Sequence, residues 1–429
     1  MILTDIEQAI GNTPLLLIPE SVHGIPNLRL YAKLEFLNPF GSLKDRIAYN
    51  MLKDDLASIA SKKQTVLESS SGNTSKALSL LCAKHNISFA NYCPKIKDTV
   101  VRDLLLLFNT DLHEYSGVLE CRPANPADRN DPKYVAHELE SAHPDIYFYT
   151  KQYENSKNPQ AHMQMGTEII RDLESAGLTL DFFAGFLGTG GSTNGAGGVL
   201  LAKYPHLKVM GVISDALSYF PGGRNASELY ETGFFTQDFY DSLLECSVRD
   251  GLAGMRELQL RCGLPVGPTS GAVYHAIQAY FAKFPLKAQS TAVFIACDRI
   301  ESYTEYVKKH MPSLFSKNTN AKSVESLSAN ELEVAVGVDT FENARLCIDI
   351  RPPLIFAQGH LPGAINIPYQ ILIDLISEQN VFSEYGDDIV FYCGDGTKSK
   401  RVSAFLNISF SSKSQYLRNG YRQLLRTSF

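Results

Sequence analysis

Short apolar runs alternate with amphipathic helical stretches through the first three quarters of the chain. Residues 30–34, 65–68, 89–92, 182–186, 209–213 and 291–295 are rich in apolar, β-branched and aromatic side chains, and predict strands covered on both faces. Between them, residues 74–84 and 272–284 carry apolar side chains at helical spacing, and Ile47, Ala48, Met51 and Leu52 mark the inner face of another helix. That rhythm predicts an α/β protein with parallel sheet and helices on both faces. The pattern stops at Met311-Pro312. Residues 313–328 are polar and rich in Ser and Asn, the composition of a tether, and βα alternation then resumes at 346–350, 364–367 and 389–392. The expected division is a domain over 1–312, a linker over 313–325 and a smaller domain over 326–429.

Composition narrows the class. A chain of 429 residues exceeds what one core organises, and 44% hydrophobic with 20% charged residues excludes disorder. A net charge of −6 supplies no basic field for nucleic acid or an anionic membrane. Apolar runs such as 104–108 are too short to span a bilayer, and the opening Met1-Ile2-Leu3-Thr4-Asp5 lacks the basic n-region of a signal peptide. The eight cysteines, residues 82, 93, 121, 246, 262, 297, 347 and 393, form no CxxC pair, which suits reduced thiols in a cytoplasmic protein. The ten histidines show no HxH or HxxxH cluster, so no metal site is expected.

Candidate chemistry lies at strand-to-helix junctions. In Asn38-Pro39-Phe40-Gly41-Ser42-Leu43-Lys44-Asp45-Arg46, Lys44 stands where a loop becomes a helix. Shielding there, beside a helix N-terminus, lowers an amine's pKa and frees it to attack a carbonyl. Ser69-Ser70-Ser71-Gly72-Asn73-Thr74-Ser75 opens a second helix with hydroxyls and N–H groups suited to a carboxylate. Gly188-Thr189-Gly190-Gly191-Ser192 follows a strand and precedes a third helix, where convergent N–H groups cradle a phosphate. Gly267-Pro268-Thr269-Ser270-Gly271-Ala272 sets a hydroxyl at a fourth helix start, where it can face a pyridine nitrogen and favour β-elimination over transamination. A Schiff-base lysine, a carboxylate turn and a phosphate loop are the parts of a pyridoxal phosphate site.

With Ile10-Gly11-Asn12-Thr13-Pro14-Leu15 and Lys151-Gln152-Tyr153 followed by Asn158-Pro159, these motifs make residues 1 to about 310 resemble the cysteine synthase/cystathionine β-synthase group, the fold type II pyridoxal phosphate enzymes. That fold has two three-layer α/β/α subdomains. The resemblance implies that Lys44 carries the cofactor as a Schiff base, Asn73 bonds its 3′-oxygen, Gly188, Thr189, Gly190, Gly191 and Ser192 hold its phosphate, and Thr269 faces its ring nitrogen. Ser70, Ser71, Thr74 and Gln152 would line the substrate carboxylate site. It further implies a homodimer, and β-replacement of an activated serine by a thiol or sulfide. The chain departs from the family with Ser70 for Thr, Ser75 for Gly and Thr269 for Ser. Ser75 adds bulk at the substrate loop, and residues 117–144 match poorly. No haem-binding segment precedes Ile10 and no regulatory CBS pair follows, which disfavours a eukaryotic-type cystathionine synthase.

Tyr392-Cys393-Gly394-Asp395-Gly396-Thr397-Lys398-Ser399 also joins a strand to a helix. Its N–H groups, with Lys398, Lys400 and Arg401, are expected to favour a thiolate or persulfide at Cys393. Together with Cys347-Ile348-Asp349-Ile350-Arg351, the run Gly359-His360-Leu361-Pro362-Gly363-Ala364-Ile365-Asn366-Ile367-Pro368 and Tyr416-Leu417-Arg418-Asn419-Gly420-Tyr421, this loop makes residues from about 323 onward resemble a rhodanese domain. The resemblance implies sulfane-sulfur transfer through Cys393. Asp395 and a single lysine in the loop make thiosulfate a poor expected donor and favour a persulfide or a sulfur-carrier protein.

The expectation is a cysteine synthase that replaces the leaving group of O-acetylserine or O-phosphoserine, coupled to a sulfurtransferase module. Arg224 would pair a substrate phosphate, unless it is an ordinary surface-loop arginine. The alternatives are a cysteine desulfhydrase passing sulfur to Cys393, and a non-catalytic scaffold for a sulfur carrier.

Overall fold

The computed structural model describes residues 2–96, 98–115, 129–216, 218–315, 324, 327–341, 344–376, 381–382 and 388–421. The chain forms two compact units, Met1–Glu305 and Tyr306–Phe429. Ten strands are described in the first: β1 (Leu15–Ile18), β2 (Leu28–Leu34), β3 (Thr65–Glu68), β4 (Phe89–Pro94), β5 (Asp111–Tyr115), β6 (Tyr147–Tyr149), β7 (Phe182–Phe186), β8 (Lys208–Ser214), β9 (Ser242–Cys246) and β10 (Ser290–Ala296). They build a six-stranded sheet, β1-β2-β10-β7-β8-β9, and a four-stranded sheet, β5-β4-β3-β6. The chain leaves the larger sheet after β2, makes the smaller one, and returns at β7.

All six predicted strands are present, and all are parallel to their neighbours except where β2 meets β1. That antiparallel pair corrects the all-parallel expectation. Only residues 19–27, which include the short helix Glu20–His23 and its left-handed cap Gly24, separate β1 from β2, too little chain for a parallel crossover. The four strands that patterning missed, β1, β5, β6 and β9, each end a sheet. β5 is short and half exposed and shows no apolar run, reading Asp-Leu-His-Glu-Tyr, whereas β1 is an apolar Leu-Leu-Leu-Ile run of only four residues that patterning passed over. The predicted helices are Asn73–Lys84 and Pro268–Lys283, the second beginning four residues early because Pro268 occupies its first turn.

The larger sheet and the helices Lys157–Ser175 and Gly191–Lys203 bury Met165, Ile169, Phe183, Val209 and Val293 in one core. A smaller core forms where Ala48 and Leu52 of the helix Lys44–Leu52 meet Val66 and Leu78. Beside these lies a buried charge quartet. Arg46 donates to both oxygens of Glu35 at 2.7 and 2.8 Å and to both oxygens of Glu168 at 2.9 and 2.8 Å. Lys33 donates to Glu168 at 2.7 Å and to the Thr13 carbonyl. All four side chains are at most 3% exposed, and their formal charges cancel. Burial alone would raise the Glu168 carboxyl, but Arg46 and Lys33 outweigh it and hold it at about 2.

The second unit carries β11 (Val336–Val338), β12 (Leu346–Asp349), β13 (Ile365–Asn366), β14 (Ile389–Tyr392) and β15 (Gln415–Leu417) in a parallel sheet ordered β11-β15-β14-β12-β13. The helix Thr397–Phe410 packs Val402, Phe405 and Leu406 into a core with Ile348 and Phe391. Most of the expected linker 313–325 lies outside the described residues, as do Cys121 and the start of the poorly matching segment 117–144. Among the described residues no helix is long and apolar enough to cross a membrane, and no cluster of His, Cys, Asp and Glu suits a metal ion.

Glu168→Gln strands the buried Lys33 and Arg46, and is expected to cost about 3–5 kcal/mol of stability at neutral pH. Because the Glu168 carboxyl is depressed to about 2 from an ordinary 4.5, its contribution is present above 4.5 and lost as pH falls towards 2. Denaturant unfolding at pH 7 and pH 3 should therefore show the wild type and variant converging in acid. A constant difference would contradict this account of the quartet.

Candidate active site

The loops named by sequence meet at the carboxyl ends of β2, β3, β7 and β10, where parallel α/β sheets place ligands. Lys44 is the first residue of its helix, half-buried. Its backbone is fixed from below: Leu43 N–H donates to the Cys297 carbonyl at 2.9 Å, and Ser42 bridges Asp298. Burial pushes the Lys44 amine below the ordinary lysine range, against the pull of Cys297 and Asp298. The helix N-terminus also disfavours a cation. The result is an amine less basic than an ordinary lysine.

Asn73 opens the helix Asn73–Lys84. Its amide nitrogen donates to Asp298 Oδ2 at 2.7 Å and to Tyr303 Oη at 3.0 Å, while the Tyr303 hydroxyl donates to the same carboxylate oxygen. Both amide hydrogens thus face protein acceptors, so donating to a cofactor oxygen requires one to turn outward. Burial raises the Asp298 carboxyl, and Tyr303, Lys76, Lys44 and Asn73 oppose it. Sequence reading missed Asp298 and Tyr303. The available signal was position, an acid just past the end of the predicted strand at 291–295.

Thr269, buried in the first turn of its helix, bonds the Cys297 thiol, and burial pushes that thiol up to about 12. Cys297 N–H donates to Ser270 Oγ at 2.9 Å, and Gly267 N–H to the Asp298 carbonyl at 2.9 Å. Residues 297 and 298 are therefore a hub joining Lys44, Asn73 and Thr269.

On the other side, Thr74 Oγ1 donates to Gln152 Oε1 at 2.8 Å. Gln152 donates to the Ser69 carbonyl at 3.1 Å and to buried Glu68, which also receives Thr150 Oγ1 at 2.5 Å and Ser69 N–H at 2.7 Å. Burial raises the Glu68 carboxyl to about 7 despite these donors. Ser70 and Ser71 are half-buried in the loop above it. Asn158 donates to the Gln152 carbonyl at 2.6 Å and to Thr189 Oγ1 at 3.3 Å, which ties this group to the loop at 188–192. Gly188, Thr189 and Gly190 lead into the helix Gly191–Lys203, with Ser192 half-buried in its first turn. A Cβ at Gly188 would lie 2.6 Å from the Gly222 carbonyl oxygen, and one at Gly191 2.2 Å from Asn158 Oδ1, so close packing keeps this loop as bare backbone.

This donor set fits pyridoxal phosphate: an amine of lowered basicity, a glycine loop at the start of a thirteen-residue helix for a dianion, and a hydroxyl for the ring nitrogen. Arg224 is no surface arginine. It is 1% exposed, its backbone N–H donates to Leu187 at 3.0 Å beside the glycine loop, and its guanidinium approaches the Tyr153 hydroxyl at 3.4 Å.

In the second unit, Cys393 is buried at the end of β14, hydrogen-bonded to Asp395 Oδ1 at 3.5 Å and by Ser399 Oγ at 3.5 Å. Its carbonyl accepts Tyr421 N–H at 2.8 Å. The cations expected to favour its thiolate each have another partner. Lys400 pairs with Glu333 at 2.8 Å, Arg401 donates to the Leu327 carbonyl at 3.5 Å, and Lys398 lies over the Tyr369 ring. Long flexible stems let these groups find partners away from the loop that carries them. Arg351 instead braces the unit, held by Asp349 and stacked 3.9 Å from the Tyr421 ring centre.

The family model "Pyridoxal-phosphate dependent enzyme" matches residues 6–298, and the model "Rhodanese-like domain" matches 333–427. Cysteine synthase B of Campylobacter jejuni is 31% identical over 291 residues, covering 66% of this chain and 91% of that one. A cysteine synthase of Helicobacter pylori strain J99 is 29% identical over 309 residues, covering 68% and 95%. Among solved structures, the O-acetylserine dependent cystathionine β-synthase of H. pylori superposes with a TM-score of 0.59 at 27% identity, covering 71% of this chain and 98% of its own. A hydrogen sulfide-producing enzyme of Fusobacterium nucleatum gives 0.60 at 27%, covering 70% and 100%.

Gly191→Ala forces a methyl group against Asn158 and should loosen the loop. The variant is expected to retain pyridoxal phosphate at least about tenfold more weakly, with its unfolding transition preserved. Absorbance of the bound cofactor after dialysis is the measurement, and full retention would remove the loop from the cofactor site.

Proposed function

The chain belongs to the pyridoxal-phosphate dependent enzymes and carries a rhodanese-like domain, and from that premise we propose that it makes cysteine, or an S-substituted cysteine, by β-replacement on an activated serine. The observation that carries this reading is Lys44, its amine made less basic by burial and its preceding backbone held at Leu43 and Ser42 against Cys297 and Asp298. The relatives named cysteine synthase support the activity over 6–298.

Bound pyridoxal phosphate supplies the electron sink that lets the α-proton and the β-substituent of the serine depart. In this proposal the residues divide the remaining work. Lys44 anchors the cofactor and moves the α-proton at its Nζ. The N–H groups of 188–192, with the hydroxyls of Thr189 and Ser192, hold the phosphate. Thr269 faces the ring nitrogen as a neutral hydroxyl, and Asn73 lies beside the ring oxygen. Ser70, Ser71, Thr74 and Gln152 take the substrate carboxylate. Both O-acetylserine and O-phosphoserine suit this scheme; buried Arg224 beside Tyr153 supports the phosphorylated substrate.

The domain limits 1–312, 313–325 and 326–429, a cytoplasmic setting and a homodimer are part of the same proposal. Cys393 would accept sulfane sulfur from a persulfide or a carrier protein, leaving the donor as a thiol; a thiol reductant, itself oxidised to a disulfide, would then release that sulfur as sulfide and regenerate the Cys393 thiol, and the tether would keep the release near the synthase site. Asp395 beside the thiol supports an uncharged or weakly charged donor over thiosulfate. A second reading runs the chemistry towards sulfide release from cysteine. It is favoured by the likeness to the hydrogen sulfide-producing enzyme of F. nucleatum.

Lys44→Ala should lower cysteine formation from O-acetylserine and sulfide about a thousandfold or more, because it removes both the anchor and the proton carrier. Retained turnover would falsify the assignment of Lys44. Comparing initial rates on O-acetylserine, O-phosphoserine and cysteine decides between synthesis and sulfide release. Incubation with a persulfide donor should add one sulfur atom to Cys393, removable by reductant and slower with thiosulfate. Sulfur found on another cysteine instead would end the proposal for Cys393. If the tether promotes transfer, the intact chain should outpace its two halves, separated near residue 320 and mixed at equal low concentration. Equal rates would rule out transfer through the fusion.

A further inference from the structure

Ser75 stands where the family resemblance implies glycine, and the expectation was added bulk at the substrate loop. The structure turns its hydroxyl the other way. The single Ser75 hydroxyl proton is shared between the Ser70 carbonyl at 2.8 Å and Asn91 Oδ1 at 2.9 Å. Asn91 Nδ2 donates to the same Ser70 carbonyl at 2.8 Å, and Asn91 Oδ1 accepts Ser70 N–H at 3.2 Å. Three hydrogen bonds thus close on Ser70 and hold both its N–H and its carbonyl, while the Ser75–Asn91 contact ties the two supporting side chains together. Ser75 and Asn91 are fully buried.

Asn91 is a polar side chain inside a strand otherwise built of Phe89, Ala90, Tyr92, Cys93 and Pro94, and it stands opposite Glu68 in the β3–β4 register. A buried amide at such a position is destabilising unless its donors and acceptors are used. Here they are used on the loop that follows β3, so the strand's one polar residue and the helix's extra hydroxyl form a single device. On the facing side, Glu68 takes Ser69 N–H and Gln152 takes the Ser69 carbonyl. The backbone of residues 69 and 70 is therefore held from both sides with the substrate subsite built in advance.

We infer that Ser75 and Asn91 are a positioning pair that pre-orders residues 69–72 and thereby sets the KM for the amino-acid substrate. This rests on the reading of Ser70, Ser71 and Thr74 as the carboxylate subsite. A loop already in its binding conformation loses less freedom when substrate arrives, so the pair acts on substrate capture. The chemical step at Lys44 lies on another element and is left largely alone. Neither residue touches the substrate in this scheme.

The test uses the cofactor-loaded full chain with O-acetyl-L-serine and sulfide. Ser75→Ala is expected to raise KM for O-acetyl-L-serine about five- to tenfold, with kcat within about twofold, and Ser75→Thr to restore it. Amide exchange of residues 69–72 should quicken in Ser75→Ala and return in Ser75→Thr. Asn91→Ala should give a similar KM rise, and the double variant little more, because both act through Ser70. Unchanged KM and exchange in Ser75→Ala, or a fall in kcat at constant KM, overturns the pair's role. Thr74→Ala leaves the clamp intact and reports on the subsite itself. If it leaves KM unchanged while Ser75→Ala quickens exchange, the clamp exists but the subsite reading is refuted, and with it the claim on KM.

Discussion

The quartet of Lys33, Glu35, Arg46 and Glu168 is the constraint on which the first unit depends. Two cations and two carboxylates removed from water are tolerable only if each is fully paired, and Arg46 achieves this by bonding both oxygens of both acids. The four come from β2, from the segment just after it, from the helix that begins with Lys44, and from the helix Lys157–Ser175. Arg46 lies two residues beyond Lys44, so the position of the reactive amine is set by charges that cannot separate without leaving one of them stranded. The Ile10–Thr13 region joins through the Thr13 hydroxyl and the Asn12 N–H, which gives that opening motif a physical purpose.

A second level of order is built on this base. Residues 297 and 298, just past β10, support Lys44, Asn73 and Thr269 by backbone and side-chain bonds, while Gln152 and Asn158 connect the serine-rich loop to the glycine loop. Asn73, Thr74, Gln152 and Thr189 are thus held by protein hydrogen bonds before any ligand is considered. Several supporting groups, Glu68, Asp298 and Tyr303, have pKa values raised by burial. A low-polarity wall of this kind strengthens whatever charge interactions the cofactor brings.

The second unit solves a smaller problem with the same grammar: a parallel strand, a tight loop and a helix, with the reactive atom at the junction. It differs in charge. Here a carboxylate, Asp395, is the ionised group beside the sulfur, and two of the nearby cations have protein partners elsewhere. The electrostatic character of such a loop follows from where flexible side chains settle, which counting basic residues along the sequence does not reveal.

By itself the sequence determined what is local. Buried central strands need continuous apolar runs, so β2, β3, β4, β7, β8, β10, β12 and β14 could be read directly. Loops that expose N–H groups need Gly, Ser and Thr at a strand-to-helix junction, so the positions of Lys44, Asn73, Gly188 to Ser192, Thr269 and Cys393 were legible as well. Tertiary structure decided the edge strands β1, β5, β6 and β9 of the first unit, which patterning missed, and the partners of every buried polar group. Asn73 meets Asp298 across 225 residues of sequence, and Arg46 meets Glu168 across 122. Ser75 reads as bulk in the sequence and becomes a clamp only when Asn91 is brought beside it. A side chain's type states which bonds it must make; which atoms satisfy them is fixed when distant segments close on the same core.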